Sequence, residues 1–461
     1  MHLRNWSCLS AILAIAGCSW LSSPTTPQVT SPKQFDQAQA NYQNLESLPY
    51  LAWWQQFNDP KLNKLIESGL KNNLDLEISL ANLEQAQGQL RQVQLSWIPF
   101  INLYAGFSSN PAFGNIGTFY GAWPQYTINI AQVLKEQERA KYTVEMNQAM
   151  VDGVRLTVIG QISAGYFTLI AQQEQLTLLN HLNDDMNELV KILKQEINIG
   201  LKDNIDLSGL MSKQQLIQAQ IDIAMHNIIL SQNSLRYLLN QNPGEIKSTD
   251  NFAKLDFNRF KPGSLPATVL QNRPDLKMAE YAVKSAHAGV AVAYGSLFPS
   301  LQLDSFIGAG SSNGTVGNPI NYSPMQDAYM NWGINPSTFG QIEAQKGAYQ
   351  AQVYRYIQTV RKILKDVDND FSANRQYSSN YQNTQQAWND LAKQYKLQQG
   401  LYQTGIMSYT QLLGNKIQLD NLALTVNQAK LQQAITVVNL YQDLAGGYKY
   451  QKQESTTSTT D

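Results

Sequence analysis

"LKNNLDLEISLANLEQAQGQLRQVQLSWIPFINLYAGF" (70–107) returns without a gap as "LQNRPDLKMAEYAVKSAHAGVAVAYGSLFPSLQLDSFI" (270–307). Leu70 and Leu270, Asn72 and Asn272, Asp75 and Asp275, Leu76 and Leu276, Ala86 and Ala286, Ser96 and Ser296, Pro99 and Pro299, and Leu103 and Leu303 match at an offset of 200 residues. Further on, "IGLKDNIDLSGL" (199–210) and "TGIMSYTQLLGN" (404–415) place Gly200 and Gly405 alike, each ahead of a helical pattern ending near Leu239 and Leu444. The chain is therefore a tandem duplication whose unit is far longer than a solenoid repeat. One unit is assigned to 51–243 and the other to 244–446, with 447–461 left as a disordered tail.

Each unit reads helix, strand, loop, strand, very long helix, turn, helix. "NDPKL" opens the first helix, with Asp59 as N-cap and Pro60 at N1. Leu62, Leu65, Ile66, Gly69 and Leu70 then share one face, and Leu76, Leu83, Leu90 and Trp97 recur at heptad spacing. Asp275, behind Pro274, is the matching first-turn acid of the second unit and suits the helix dipole. Pro99 and Pro299 stop these helices and mark the breaks from helix to strand.

Strict alternation begins after each proline. Ile101, Leu103, Ala105 and Phe107 alternate with Asn102, Tyr104 and Gly106, and Leu301, Leu303 and Ile307 with Gln302 and Asp304. The returning strands alternate too, with Tyr126, Ile128 and Ile130 against Gln125, Thr127 and Asn129, and later Met330, Trp332 and Ile334 against Asn331, Gly333 and Asn335. The stretches between, "SSNPAFGNIGTFYGAWP" (108–124) and "GAGSSNGTVGNPINYSP" (308–324), read as loops. Two hairpins follow, over 99–134 and 299–336, with strands of ~10 residues and one apolar face, which is the pattern of membrane barrel strands. Period-two alternation fits surface hairpins of a soluble domain as well. In lipid, four strands cannot close a barrel, since ~8 is the practical minimum. Several chains must then pool their strands. Two copies give eight and three give twelve, and the residues do not choose between them.

Helical patterns free of proline run from about Lys135 to Lys202 and from about Gly340 to Thr404. At 1.5 Å per residue each reaches ~100 Å, more than a globular core can bury. "AQQEQLTLLNHLNDDMNELVKILKQ" (171–195) has a narrow apolar stripe and a wide polar remainder, as the wall of a wet tube requires. An ordinary coiled coil fits the stripe but leaves the hairpins unexplained.

The first residues read as a secretory signal: Arg4, the apolar "CLSAILAIA" (8–16), then Ala16 and Gly17. Cys18 follows, and "SSPTTPQVTSP" (22–32) looks like a tether. The assignment is 1–17 as signal and 18–50 as tether; the alternative is cleavage near Ser22, which discards Cys18. No later segment has ~18 consecutive apolar residues, so a membrane span in the mature chain must come from strands.

Composition excludes several functions. The net charge is -1, so no basic excess is available for nucleic acid. Both cysteines, Cys8 and Cys18, lie at the start, which excludes a disulfide framework or a cysteine metal site elsewhere. His2, His181, His226 and His287 form no metal spacing. Asp184, Asp185, Asp366, Asp368 and Asp370 read as surface charges of solvated helices. "GAGSSNG" (308–314) has no following P-loop lysine and reads as hairpin loop. No enzyme activity, cofactor or metal is expected.

"WWQQFNDPKLNKLIESGLKNNLDL" (53–76), "NRPDLKMAE" (272–280), "LFPSLQL" (297–303) and "YQTGIMSYTQLL" (402–413) resemble the TolC/OprM family of outer-membrane efflux ducts. "IAGC" (15–18) resembles a lipobox, which implies lipidation of Cys18 and the family's lipidated branch in the outer membrane of a Gram-negative bacterium. The resemblance implies a mainly α fold with a membrane β-barrel portion: a long α-helical barrel, plus four strands per protomer completing a trimeric twelve-stranded β-barrel. The implied partners are a homotrimer, outer-membrane lipid, a periplasmic adaptor and an inner-membrane transporter of the resistance-nodulation-division type. The implied role is passive exit of drugs or other small toxic solutes. Protein secretion through the same kind of duct, or a rod-like adhesive lipoprotein, are the alternatives. Asp206 and Tyr402 match family residues that latch the periplasmic gate, although Asp206 could instead cap the helix after Gly200. Met407, Gln411 and Gly414 stand where the family often has a basic residue and acids, and "AQVLKEQERAKY" (131–142) replaces the usual text after the first hairpin.

Overall fold

A computed structural model describes residues 50–108, 117–248, 252–257, 271–311, 319–321, 325–333 and 335–449. The signal segment, Cys18 and nearly all of the tether lie outside the described residues.

The elements run α1 (Pro60–Asn72), α2 (Leu74–Leu95), β1 (Phe100–Ser108), β2 (Gly117–Ile128), α3 (Ile130–Asn198), α4 (Asn204–Leu238), α5 (Pro274–Gly295), β3 (Ser300–Ser311), β4 (Pro319–Asn321), β5 (Met325–Asn331), α6 (Ser337–Gln403) and α7 (Tyr409–Asp443). The order helix, strand, returning strand, long helix, shorter helix occurs twice. The long helices have 69 and 67 residues and the shorter ones 35 each. Two compact units form. Among the described residues, one combines Leu80–Met150 with Asp275–Val360; the other combines 50–79 with Val151–Pro274 and 361–449. Each unit thus draws on both halves of the chain.

In the first unit all neighbouring strands are antiparallel, in the order β1, β2, β3, with β4 and β5 both pairing with β3. The strand reading needs four corrections. Residues 117–124 are strand, not loop, and so are 308–311. The first hairpin ends at Ile128, and Ile130 opens α3 instead of closing the strand. β5 ends at Asn331, so Trp332 lies past it. Gly117, Gly121 and Pro124 suggested a turn, but ladders to β1 along the stretch and to β3 from Phe119 hold the backbone extended. Only at Trp123 and Pro124 does the β2–β3 register skip, where proline has no N–H to give.

In the second unit the core gathers around the segment before α1. Trp53, Trp54 and Phe57 are buried with Leu62 and Ile66 of α1, Ile162 and Phe167 of α3, Leu235 of α4 and Tyr441 of α7. The Trp53 and Tyr441 rings stack at 5.2 Å. Asp59 accepts from the backbone N–H of Lys61 and Leu62, and its other oxygen takes the Tyr166 hydroxyl at 2.6 Å. The helix cap is thereby tied to α3. The tail assignment also needs correction: Tyr448 is 0% exposed and donates its hydroxyl to the Asn272 carbonyl at 2.8 Å. α3 contains a window of mean hydropathy 1.3, apolar enough by composition to cross a bilayer. That window is 61% buried within the protein, as suits a helix lined by Ile159, Ile162 and Phe167.

Candidate functional site

The register sorts the strand residues by chemistry. Ile101, Leu103 and Ala105 face Pro124, Ala122 and Tyr120, while Tyr126 and Ile128 face Leu303 and Leu301, and these in turn face Ala328 and Met330. Residues directly opposite share a face. At these positions one face is apolar, although its rows also carry Thr118 opposite Phe107 and Ser305 opposite Gln326, and Leu103 on it is 82% exposed. The other carries Asn102, Gln125, Thr127 and Gln302, with Asn102 donating to Gln125 at 3.2 Å. Among the described residues, β1 has no partner on one side, and neither do β4 and β5. An apolar, exposed face together with two open edges is unstable in water.

Pro99 stands between the end of α2 and β1, and Pro299 between the end of α5 and β3. The return from strand to helix is held by two residues that alternation had placed on the polar strand face. Asn129 accepts from the Gln132 N–H at 3.0 Å as N-cap of α3, while its amide donates to the carbonyls of Gly295 at 2.9 Å and Phe298 at 3.0 Å. One side chain thus caps the start of one helix and the end of another. A Cβ on Gly295 would lie 2.9 Å from Gln132 Cα, so glycine allows this close approach. Asn335 plays the capping part in the second repeat, accepting from the Ser337 N–H at 3.0 Å. The signal was present in sequence, since Asn is a preferred cap, but alternation masked it.

At the helix turns, Gly200 and Gly405 have φ of 79° and 77°, where a side chain is strained. The N-cap after the first turn is Asp203, which accepts from Ile205 and Asp206 N–H, so capping is not the role of Asp206. Asp206 instead pairs with Lys202 at 3.7 Å. The Tyr402 ring lies 5.4 Å from that of Tyr409. Within the protomer no bond joins Asp206 to Tyr402 among the described residues. Gln411 closes a capping box with Ser408, so the amide that stands at a family acid position has a structural task. Gly414 has open space where a side chain would project. The turns expose Ile205 (79%) and Ile406 (74%).

Two of the acids read as surface charges are not. Asp185 is buried and receives the Lys416 ammonium. Burial pushes the neighbouring Asp420 carboxyl up to about 6, helped by its hydrogen bond to Asp185. Asp370 lies beside Asp443, which holds Arg273 at 3.2 Å. Burial, then the hydrogen bond to Asp443, pushes Asp370 up to about 8. Both acids sit on the inward stripe of their helix, which composition does not reveal.

The family model described as "Outer membrane efflux protein" matches this chain over residues 65–241 and 265–446. The toluene efflux pump outer membrane protein TtgC of Pseudomonas putida is 23% identical, covering 94% of this chain and 93% of its own. The probable outer membrane lipoprotein SilC of Salmonella typhimurium is 23% identical, over 95% of this chain and 98% of its own. The open-state crystal structure of the Neisseria gonorrhoeae MtrE outer membrane channel superimposes with a TM-score of 0.75 at 21% identity, over 94% of this chain and 100% of that one.

Proposed function

This chain belongs to the outer membrane efflux protein family, and from that premise we propose that it is the outer-membrane exit duct of a tripartite efflux system for small toxic solutes. The observation that carries the reading is the two-faced sheet with open edges, joined directly to helices of 69 and 67 residues. In lipid, each unsatisfied backbone group at an edge costs several kcal/mol. Three copies that pair β1 with the β4/β5 edge of a neighbour close a twelve-stranded barrel, with the apolar face toward lipid and the Asn102–Gln125 face toward the bore. The long helices of three copies form the periplasmic tunnel. The duct is passive. A periplasmic adaptor and an inner-membrane transporter, of the resistance-nodulation-division type, supply the coupling and the energy.

Lipidation of Cys18 anchors the mature chain. Asp206 and Tyr402, both exposed in the protomer, latch across the interface between neighbouring copies as a charge-assisted hydrogen bond. The deciding experiment is the mass of the purified particle in mild detergent together with its conductance in planar bilayers. A trimer that conducts supports the duct; a non-conducting monomer or rod ends it. Asp206→Ala is expected to raise the leak of the closed duct, and an unchanged single-channel record removes the latch. Mass spectrometry of the mature N-terminus reads the lipid directly.

A further inference from the structure

The return from strand to helix is built twice, and only the first copy of it is complete. Asn129, between β2 and α3, caps α3 and donates its amide to the carbonyls of Gly295 at 2.9 Å and Phe298 at 3.0 Å, where α5 ends ahead of β3. Since β2 pairs with β3, this side chain closes the same joint just below the ladder. In the second repeat Asn335, between β5 and α6, accepts from the Ser337 N–H at 3.0 Å, which is the capping half of that role. Its amide has no acceptor among the described residues, and the residue is exposed. An exposed amide can turn to water, so the deciding observation is where its missing acceptors lie.

The duplication locates them. Leu95 and Ile98 stand ahead of Pro99 as Gly295 and Phe298 stand ahead of Pro299. They lie where α2 ends ahead of β1, are 54% and 63% exposed, and receive no side-chain donor among the described residues. Carbonyls at a helix end need donors from outside the helix. Within one protomer the two halves of this joint are kept apart, because β1 is one open edge of the sheet and β4 and β5 form the other. A second copy whose β1 continues the ladder from β5 brings its Ile98 to Asn335, as β3 brings Phe298 to Asn129.

One difference chooses between the two acceptors. A Cβ on Gly295 would lie 2.9 Å from Gln132 Cα. Leu95 carries that Cβ, so α2 of the next copy cannot approach α6 as closely as α5 approaches α3. The assignment therefore falls on Ile98, past the end of α2.

We propose that Asn335 joins neighbouring copies: it caps α6 of its own chain and donates its amide to the Ile98 carbonyl of the next copy, where the barrel passes into the tunnel. This contact rests on the duct reading and adds to it a specific pair of residues.

Cysteines placed at Asn335 and Ile98 test the contact in the full-length protein, purified in mild detergent. Past the signal segment the chain has one other cysteine, Cys18, so each single variant serves as a control. A one-carbon bis-methanethiosulfonate should link the double variant into a ladder of dimer and trimer on denaturing gels that neither single variant gives. Asn335→Asp keeps the capping oxygen but cannot donate. Its circular dichroism should match wild type, while its trimer dissociates about tenfold faster on warming, since a departing copy breaks two such joints. A monomeric wild-type particle refutes the duct reading and this contact with it. A wild-type trimer whose double variant gives no ladder, or an Asn335→Asp trimer that dissociates at the wild-type rate, overturns this contact alone.

Discussion

The hydroxyl of Tyr409 donates to the Glu188 carboxylate at 2.8 Å, joining the first turn of α7 to α3. Thr410 donates to Glu196 at 3.1 Å and Lys416 to Asp185 along the same pair of helices. Below the turns, Leu179, Leu182 and Met186 of α3 meet Ile217 and Ile221 of α4 in an apolar seam, with Ile417 and Leu424 of α7 against it. Polar ties thus hold the helix ends where that seam has run out. The bond to Glu188 is the first cause that pushes the Tyr409 phenol up to about 12.

Tyr409→Phe is expected to remove about 1 kcal/mol, the net worth of one exposed hydrogen bond. Global melting should barely move. Amide exchange should quicken near the Gly405 turn, and the closed-state conductance should rise. Unchanged exchange there would show that the apolar seam alone fixes the turn. In Glu188→Gln, Tyr409 should titrate closer to ~10.

Asp370 links stability to pH. In the unfolded chain its carboxyl titrates near ~4, whereas in the fold it holds its proton to about 8. The folded state therefore binds the extra proton between these values. The group's contribution is complete below ~4 and is lost as pH rises through about 8. Asp370→Asn keeps a donor toward Asp443 without a charge. It should leave stability unchanged at pH ~4 and exceed wild type by about 1–2 kcal/mol near pH ~9, a reduced figure because water still reaches the pair. Melting curves of the two proteins that stay parallel from acid to base would refute the shared proton.

Much of this was legible in the residues and some was not, for physical reasons. Asp59 with Pro60, the faces of Leu62 and Ile66, and the Gly200 and Gly405 turns are local devices, and the structure carries each of them. Alternation also sorted Leu103 from Asn102 correctly, because a period of two survives any register that keeps the faces. It failed at Asn129 and Asn335, where the chain leaves the strand and the last polar residue becomes a cap. Asp185 and Asp370 were misread because charge alone does not tell which stripe of a long helix turns inward. Tyr448 was lost among the polar residues that follow it, although a single tyrosine is enough to tether a chain end.

Asn129 is a single point of failure for the strand-to-helix return. Asn129→Ala removes the N-cap of α3 and both donations to the end of α5. Loss of a cap costs typically ~1 kcal/mol, up to ~2. The expected effect lies at the upper end, because two helix ends lose partners at once. Asn129→Asp keeps the cap but cannot donate, so it should fall between wild type and alanine. Thermal unfolding of the three proteins gives the order, and equal melting of wild type and Asn129→Ala would contradict it.

The two faces of β1 should respond oppositely to the same charge. Leu103 lies on the apolar face, opposite Ala122, and Asn102 is its neighbour on the polar face. If the sheet closes in lipid, Leu103→Lys places an ammonium against hydrocarbon at a cost of about 2–4 kcal/mol near the midplane. Asn102→Lys places the same group in the wet bore, where it costs little and adds positive charge to the path. Leu103→Lys should therefore yield less trimer in the outer membrane. Asn102→Lys should assemble normally and shift conductance toward anions. The comparison holds charge, strand and depth nearly constant and varies only the face. Equal assembly of the two variants would mean that the apolar face does not meet lipid, since a soluble hairpin tolerates lysine at an exposed leucine as readily as at an exposed asparagine.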